Sequence, residues 1–214
     1  MSQKAPKQLS ISTFYPVRQW CAGFWFVGVL TLTTAVQGLA EEKSSPLPNQ
    51  PALAQQAMLD SFFKHLAQAQ SPAEAQVIVG SIERVWRHSG SDTADLLMSR
   101  AVSAVNSKDN SLALQMLDVV VNLEPDWAEA WNQRATVRYL EEDDEGSMRD
   151  ISRVLVLEPR HFGALAGMGY ILQRNGNDKR ALEVFRHLLE INPQQEGIRR
   201  IVDKMAPEVD GREL

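Results

Sequence analysis

From Leu53 onward apolar residues return at three- and four-residue spacing, and no stretch alternates apolar with polar in the manner of a strand. The pattern predicts an all-α domain. It is punctuated by Pro125, Pro159 and Pro193, each 34 residues after the last, which close "VVVNLEP", "VLVLEP" and "LLEINP". Aligned on these prolines, three segments at about 92–125, 126–159 and 160–193 stack on one another, each long enough for two helices and a short turn.

The columns of that alignment agree in size as well as polarity. Leu97, Trp131 and Leu165 share one column, and the small Ala101, Ala135 and Gly169 share another. Ala113, Ser147 and Ala181 form a second small column, followed by Leu117, Ile151 and Phe185, then Val120, Val154 and Leu188. Two antiparallel helices approach closely where side chains are small, and the bulky residues one turn away interlock across the pair. A proline just past a helix breaks no ladder bond and turns the chain, so each one predicts a boundary between repeats.

These residues resemble the tetratricopeptide repeat (TPR), and the third copy carries the pattern best, with Leu165, Met168, Gly169, Leu172, Ala181, Phe185, Leu188 and Pro193. The resemblance implies an all-α TPR superhelix, an α-solenoid of antiparallel helix pairs. Arg100 and Arg134 depart from it, standing where the family packs a leucine. Either their stems lie along the core with the heads at solvent, or the pairing there is looser.

Around the three repeats, residues 53–90 read as a TPR-like N-terminal hairpin with Phe62, Phe63, Leu66, Val77, Ile82, Val85 and Trp86 on its apolar face. "SPAE" at 71–74 supplies a helix start between its two helices. Residues 194–214 read as a capping helix and tail, with Ile198, Ile201, Val202 and Met205 on one stripe. Residues 41–52, "EEKSSPLPNQPA", have the composition of a flexible linker.

The first 40 residues follow a different logic. Lys4, Lys7 and Arg18 precede 22 uncharged residues, Gln19 to Ala40, that end in "GLA" and are followed by Glu41 and Glu42. This is the shape of a signal peptide cleaved after Ala40, which predicts a periplasmic protein. The same run is long enough for an uncleaved membrane anchor carrying a periplasmic domain. Cys21 precedes the apolar run, the reverse of lipobox order, so lipidation is not expected. Cleavage removes the chain's one cysteine and 3 of its 22 basic residues but none of its 27 acidic ones, taking the net charge from −5 to −8. Such a charge disfavours nucleic acid as a partner.

No catalytic constellation is visible. His65, His88, His161 and His187 fall in different hairpins without ligand spacing, and HExxH, GxSxG and cysteine pairs are absent from the sequence. No enzyme activity, metal or cofactor is expected. "EEDDE" at 141–145 lacks the alternation of a calcium loop and reads as a solvated turn near a helix N-terminus.

By the TPR resemblance, the first helix of each repeat lines a concave groove. Met98, Glu129, Asn132, Thr136, Tyr139, Tyr170, Gln173 and Arg174 stand at its groove positions, and Asn132, Tyr139, Tyr170 and Arg174 are best suited to hold an extended peptide. Family members that clamp a C-terminal carboxylate use groove lysines and asparagines. Here Met98, Val102 and Gly163 occupy those places, so no such clamp is expected. The expected function is a noncatalytic scaffold binding a protein or extended peptide. Resemblance to small exported TPR proteins of Gram-negative bacteria implies a role in envelope assembly or maintenance. The alternatives are a self-associating structural protein at the membrane surface and an accessory subunit of an envelope enzyme.

Overall fold

The computed structural model of the protein describes residues 50–211. The expected signal segment 1–40 lies outside the described residues, as does all but the end of the 41–52 linker. Every element described is a helix: α1 Gln50–Gln68, α2 Pro72–Trp86, α3 Asp92–Asn106, α4 Asn110–Leu123, α5 Ala128–Leu140, α6 Asp144–Leu157, α7 Phe162–Arg174, α8 Asp178–Ile191 and α9 Glu196–Asp210. The architecture is the all-α solenoid the periodicity predicts. Helix α1 begins inside the stretch expected to be linker, because Pro51 in a first turn forfeits no intrahelical hydrogen bond.

The three pairs α3–α4, α5–α6 and α7–α8 are built alike down to their turns. Lys108, Glu142 and Gly176, spaced by 34, all take positive φ at 61°, 60° and 72°. The next backbone N–H then reaches back five residues, from Asp109 to Ala104, Asp143 to Arg138 and Asn177 to Leu172. Asp109 and Asp143 follow at once as N-caps, accepting from the N–H groups of Leu112 and Gly146. Between pairs, Glu124, Glu158 and Asn192 each donate N–H to the fourth residue back, and the proline follows.

Inside each pair the small columns do what the alignment predicts. A Cβ on Gly169 would sit 2.3 Å from the Phe185 ring, so glycine there sets the approach of α7 to α8. Ser147 is buried, but its hydroxyl donates to the Ala135 carbonyl at 2.8 Å. Arg100 is exposed, whereas Arg134 meets neither sequence-based alternative. Its side chain is 12% exposed and its head is consumed by ion pairs, with Nε and Nη2 on Asp150 at 2.9 and 2.7 Å and Nη1 on Asp118 at 2.8 Å. Burial would lower the Arg134 pKa, but hydrogen bonds and charge from Asp150 and then Asp118 raise it. Arg138 adds a second guanidinium, 3.1 Å from Asp150. Helices α5 and α6 are thereby pinned by a buried carboxylate matched with two cations, and Asp118 ties α4 to the same cluster.

The N-terminal pair α1–α2 does not extend the stack beyond α3. Its apolar face enters one core with α7, α8 and α9, through Phe63, Leu66, Ile82 and Trp86 against Phe162, Phe185 and Leu188. The pair lies along the inter-repeat turns and touches each of them. Trp127, after the first proline, donates Nε1–H to the Trp86 carbonyl at 2.6 Å. Arg160, after the second, donates to Asp60 at 2.7 Å and sits over the Phe63 ring. Gln194, after the third, donates to the Ala69 carbonyl at 3.0 Å. The 34-residue repeat of the prolines therefore produces a ledge of equivalent turns, and the N-terminal hairpin straps it.

Two stability measurements test this account. Asp150→Ala takes the shared buried carboxylate from the partly buried Arg134 and Arg138, leaving Arg134 only the exposed Asp118, and should cost about 3–5 kcal/mol in chemical denaturation, far above a surface substitution. Lys108→Gly relieves a left-handed backbone and should stabilise by about 0.5–1 kcal/mol; a loss would show that the turn is not strained.

Candidate functional site

The concave face between α5 and α7 carries a cavity of about 210 Å³ floored by Ile151 and Ser147 of α6. Its walls are Asn132, Thr136 and Tyr139 from α5 and Gly163, Ala166, Gly167 and Tyr170 from α7. The small residues of α7 make this depression, since a Cβ on Gly167 would already press Ile151 at 3.3 Å. Thus Asn132, Thr136, Tyr139 and Tyr170 of the expected groove set converge on one apolar site. Tyr170 is 37% exposed and packs edge-on to Phe185 at 5.5 Å, so one part of its ring is structural and the rest faces the groove.

The remaining expected residues have other commitments. Met98 is 7% exposed and belongs to the core of α3–α4, because the face of α3 that carries it also carries Ala94 and Ala101. It is not a groove residue. Arg174 pairs with Asp144, which also accepts from Asn175 Nδ2 at 2.8 Å, and its guanidinium lies 4.1 Å over the Tyr139 ring. Its charge is spent on the α5–α6 turn, and its effect on the groove is to hold Tyr139. Gln173 reaches Met205 Sδ at 3.4 Å, on the α9 side. In "EEDDE", Glu141, Glu142, Asp143 and Glu145 are exposed as expected of a solvated turn.

Glu129 is the unexpected centre. It is buried at 9% exposure and accepts from Asn132 Nδ2 at 3.1 Å, Gln133 Nε2 at 2.6 Å and His161 Nε2 at 3.1 Å. His161 caps α7 by accepting the Ala164 N–H at Nδ1, 3.2 Å away. One nitrogen accepts, so the other carries the proton and the imidazole facing Glu129 is neutral. The Glu129 carboxylate is therefore held by three neutral donors. Among its neighbours, Trp86 of α2 stacks on the His161 ring at 4.1 Å and 11°.

These groups line a second cavity, of about 260 Å³, between α2 and the N-terminal ends of α5 and α7. It meets the concave cavity at Asn132 and Gly163. With Nδ2 committed to Glu129, Asn132 turns Oδ1 toward Gly163, free to accept at the junction. Glu83, Trp86 and Arg87 of α2, with His161, were missed from sequence because the repeat pattern says nothing of where α2 lies. The usable signal was the aromatic surplus of residues 62–86, too large for one hairpin to bury alone.

Elsewhere the strongest polar cluster caps α3. Burial would raise the Asp95 carboxyl, but the Ser89 N–H and hydroxyl, with His88 alongside, hold it below the usual carboxylate range. Among the described residues no group of three or more His, Cys, Asp or Glu side chains is placed to hold a metal.

No family model matches the chain. A TPR repeat-containing protein of Rhizobium etli is 41% identical over 152 residues, covering 69% of this chain and 74% of the relative. Among solved structures, the first TPR of Spaghetti (RPAP3) bound to the HSP90 peptide SRMEEVD superposes with a TM-score of 0.52 at 13% identity, over 55% of this chain and 93% of that one. The Sgt2 TPR domain of Aspergillus fumigatus also gives 0.52, at 18% identity over 57% and 83%.

The local account is tested by His161→Phe, which keeps a ring against Trp86 but removes one of the three donors to Glu129 and strands the Ala164 N–H. It should cost about 1–3 kcal/mol by denaturation; an unchanged midpoint would show that the neutral pair is not structural.

Proposed function

The chain belongs to the tetratricopeptide repeat family, and on that premise we propose that it is a noncatalytic scaffold whose concave face holds an extended segment of a partner protein. The observation that carries this reading is the apolar depression between Tyr139 and Tyr170, with the free Asn132 Oδ1 at its edge. A side chain of the partner fills the depression, and its backbone N–H bonds Asn132. The RPAP3 domain holds an acidic peptide. The same ligand does not suit this groove, because Arg174 is paired with Asp144 and the concave cavity is lined by no lysine or arginine.

The proposal extends to place. A basic start followed by the uncharged run 19–40 supports export to the periplasm, with the helical domain serving envelope assembly or maintenance. Mass spectrometry of the mature protein should find Glu41 as its first residue. An intact N-terminus would instead favour the membrane-anchored form.

Gly163→Leu is the decisive variant for the groove. Gly163 is exposed, and a Cβ there meets the His161 ring at 3.4 Å and Asn132 Oδ1 at 3.7 Å, ordinary contact distances. The variant should fold at least as stably as the wild type, since leucine exceeds glycine in helix propensity by about 0.5–1 kcal/mol. Its side chain projects into the groove. Affinity capture from the native cells should lose the partners bound by wild type, and Tyr170→Ala should weaken them. Identical partners for wild type and Gly163→Leu would remove the groove from the function.

A further inference from the structure

Beneath α2 runs a trough made of two joined cavities, of about 260 and 470 Å³, which share Glu83, Phe162 and Gly163. Its buried side-chain groups without a partner among the described residues are two acceptors, on Asn192 and Gln195, and one donor, Trp86 Nε1. The buried Glu129 carboxylate is bonded by neutral donors and so keeps an unmatched charge. The Glu83 side chain, at the join, has no hydrogen bond or ion pair among the described residues. Asn192, only 6% exposed, and Gln195 turn buried side-chain oxygens that have no donor among the described residues. Both line the larger cavity. The two linings together hold three carboxylates, of Glu83, Glu129 and Glu196, and one guanidinium, of Arg87, a net charge of −2.

Carboxylates without cations in a partly enclosed lining are costly, and a donor-rich cation offsets that cost. We propose that the trough receives an arginine side chain of the partner peptide, while a neighbouring apolar side chain of the same peptide fills the concave cavity across Asn132 and Gly163. This rests on the groove reading above and names its ligand. A guanidinium brings five N–H donors in a planar fork, able to hold the Glu83 carboxylate bidentately, and lysine brings a single point charge. Trp86 and Phe162 supply aromatic walls for the arginine stem and plane. The continuity of trough and groove at Gly163 favours a peptide over a free small cation, and the chain's net charge of −5 favours approach of a basic segment.

The test uses the full chain and a phage-displayed library of random dodecapeptides, followed by synthetic copies of the enriched sequences. Enriched peptides should carry arginine beside an aliphatic or aromatic residue, and Gly163→Leu should block them. Replacing that arginine with citrulline, which keeps the planar shape but loses the charge and exchanges one NH2 donor for an acceptor oxygen, should weaken binding at least about tenfold. Glu83→Gln should weaken the arginine peptide by a similar factor and leave the citrulline peptide unchanged, the coupling a double-mutant cycle reads. Peptides blocked by Gly163→Leu but indifferent to citrulline would overturn the arginine site and leave the groove standing. Failure to enrich any peptide that Gly163→Leu blocks would overturn both.

Discussion

The ring of Trp86 lies flat on that of His161, and at this stack the N-terminal hairpin meets the buried centre of the repeats. His161 at the same time caps α7 and orders Glu129, so the contact fixes a helix start, a buried carboxylate and the wall of a cavity together. The neighbouring turns add Trp127 on the Trp86 carbonyl and Arg160 on Asp60. The second cavity, with its wall from α2, depends on α2 lying where that stack holds it.

Two buried carboxylates show how similar groups are put to different uses. Asp150 is matched by Arg134 and Arg138 and is closed to further partners, a structural pin between helices. Glu129 has its hydrogen bonds but no cation, which is the condition of a group able to attract one. Arg174 shows the reverse case, a cation that reads as a ligand contact in the sequence but is already neutralised by Asp144.

The repeat core was readable because close packing at a fixed period constrains size at every column. Ala101, Ala135 and Gly169 had to be small, and Pro125, Pro159 and Pro193 had to turn the chain. Half of the groove was readable for the same reason, since Asn132, Tyr139 and Tyr170 follow from position within a repeat. What periodicity does not encode is contact between distant segments. Arg174 went into an ion pair with the preceding repeat and the whole α2 wall was unforeseen, because each depends on a partner outside its own repeat, while Met98 went into the core of its own pair.

A solenoid without such a strap is a chain of nearest neighbours, and its folding can start in any repeat and spread to the next. Here Asp60 must find Arg160 across 100 residues, and Ala69 must find Gln194 across 125. Loop closure of that length is an entropic cost the repeats alone do not bear. The hairpin therefore has nothing to dock on until the second and third pairs exist, and a chain emerging from its N-terminus makes its first two helices long before it makes their seat. The order of synthesis and the order of assembly run in opposite directions, which leaves the aromatic face of α1–α2 exposed for most of the time the protein is being made.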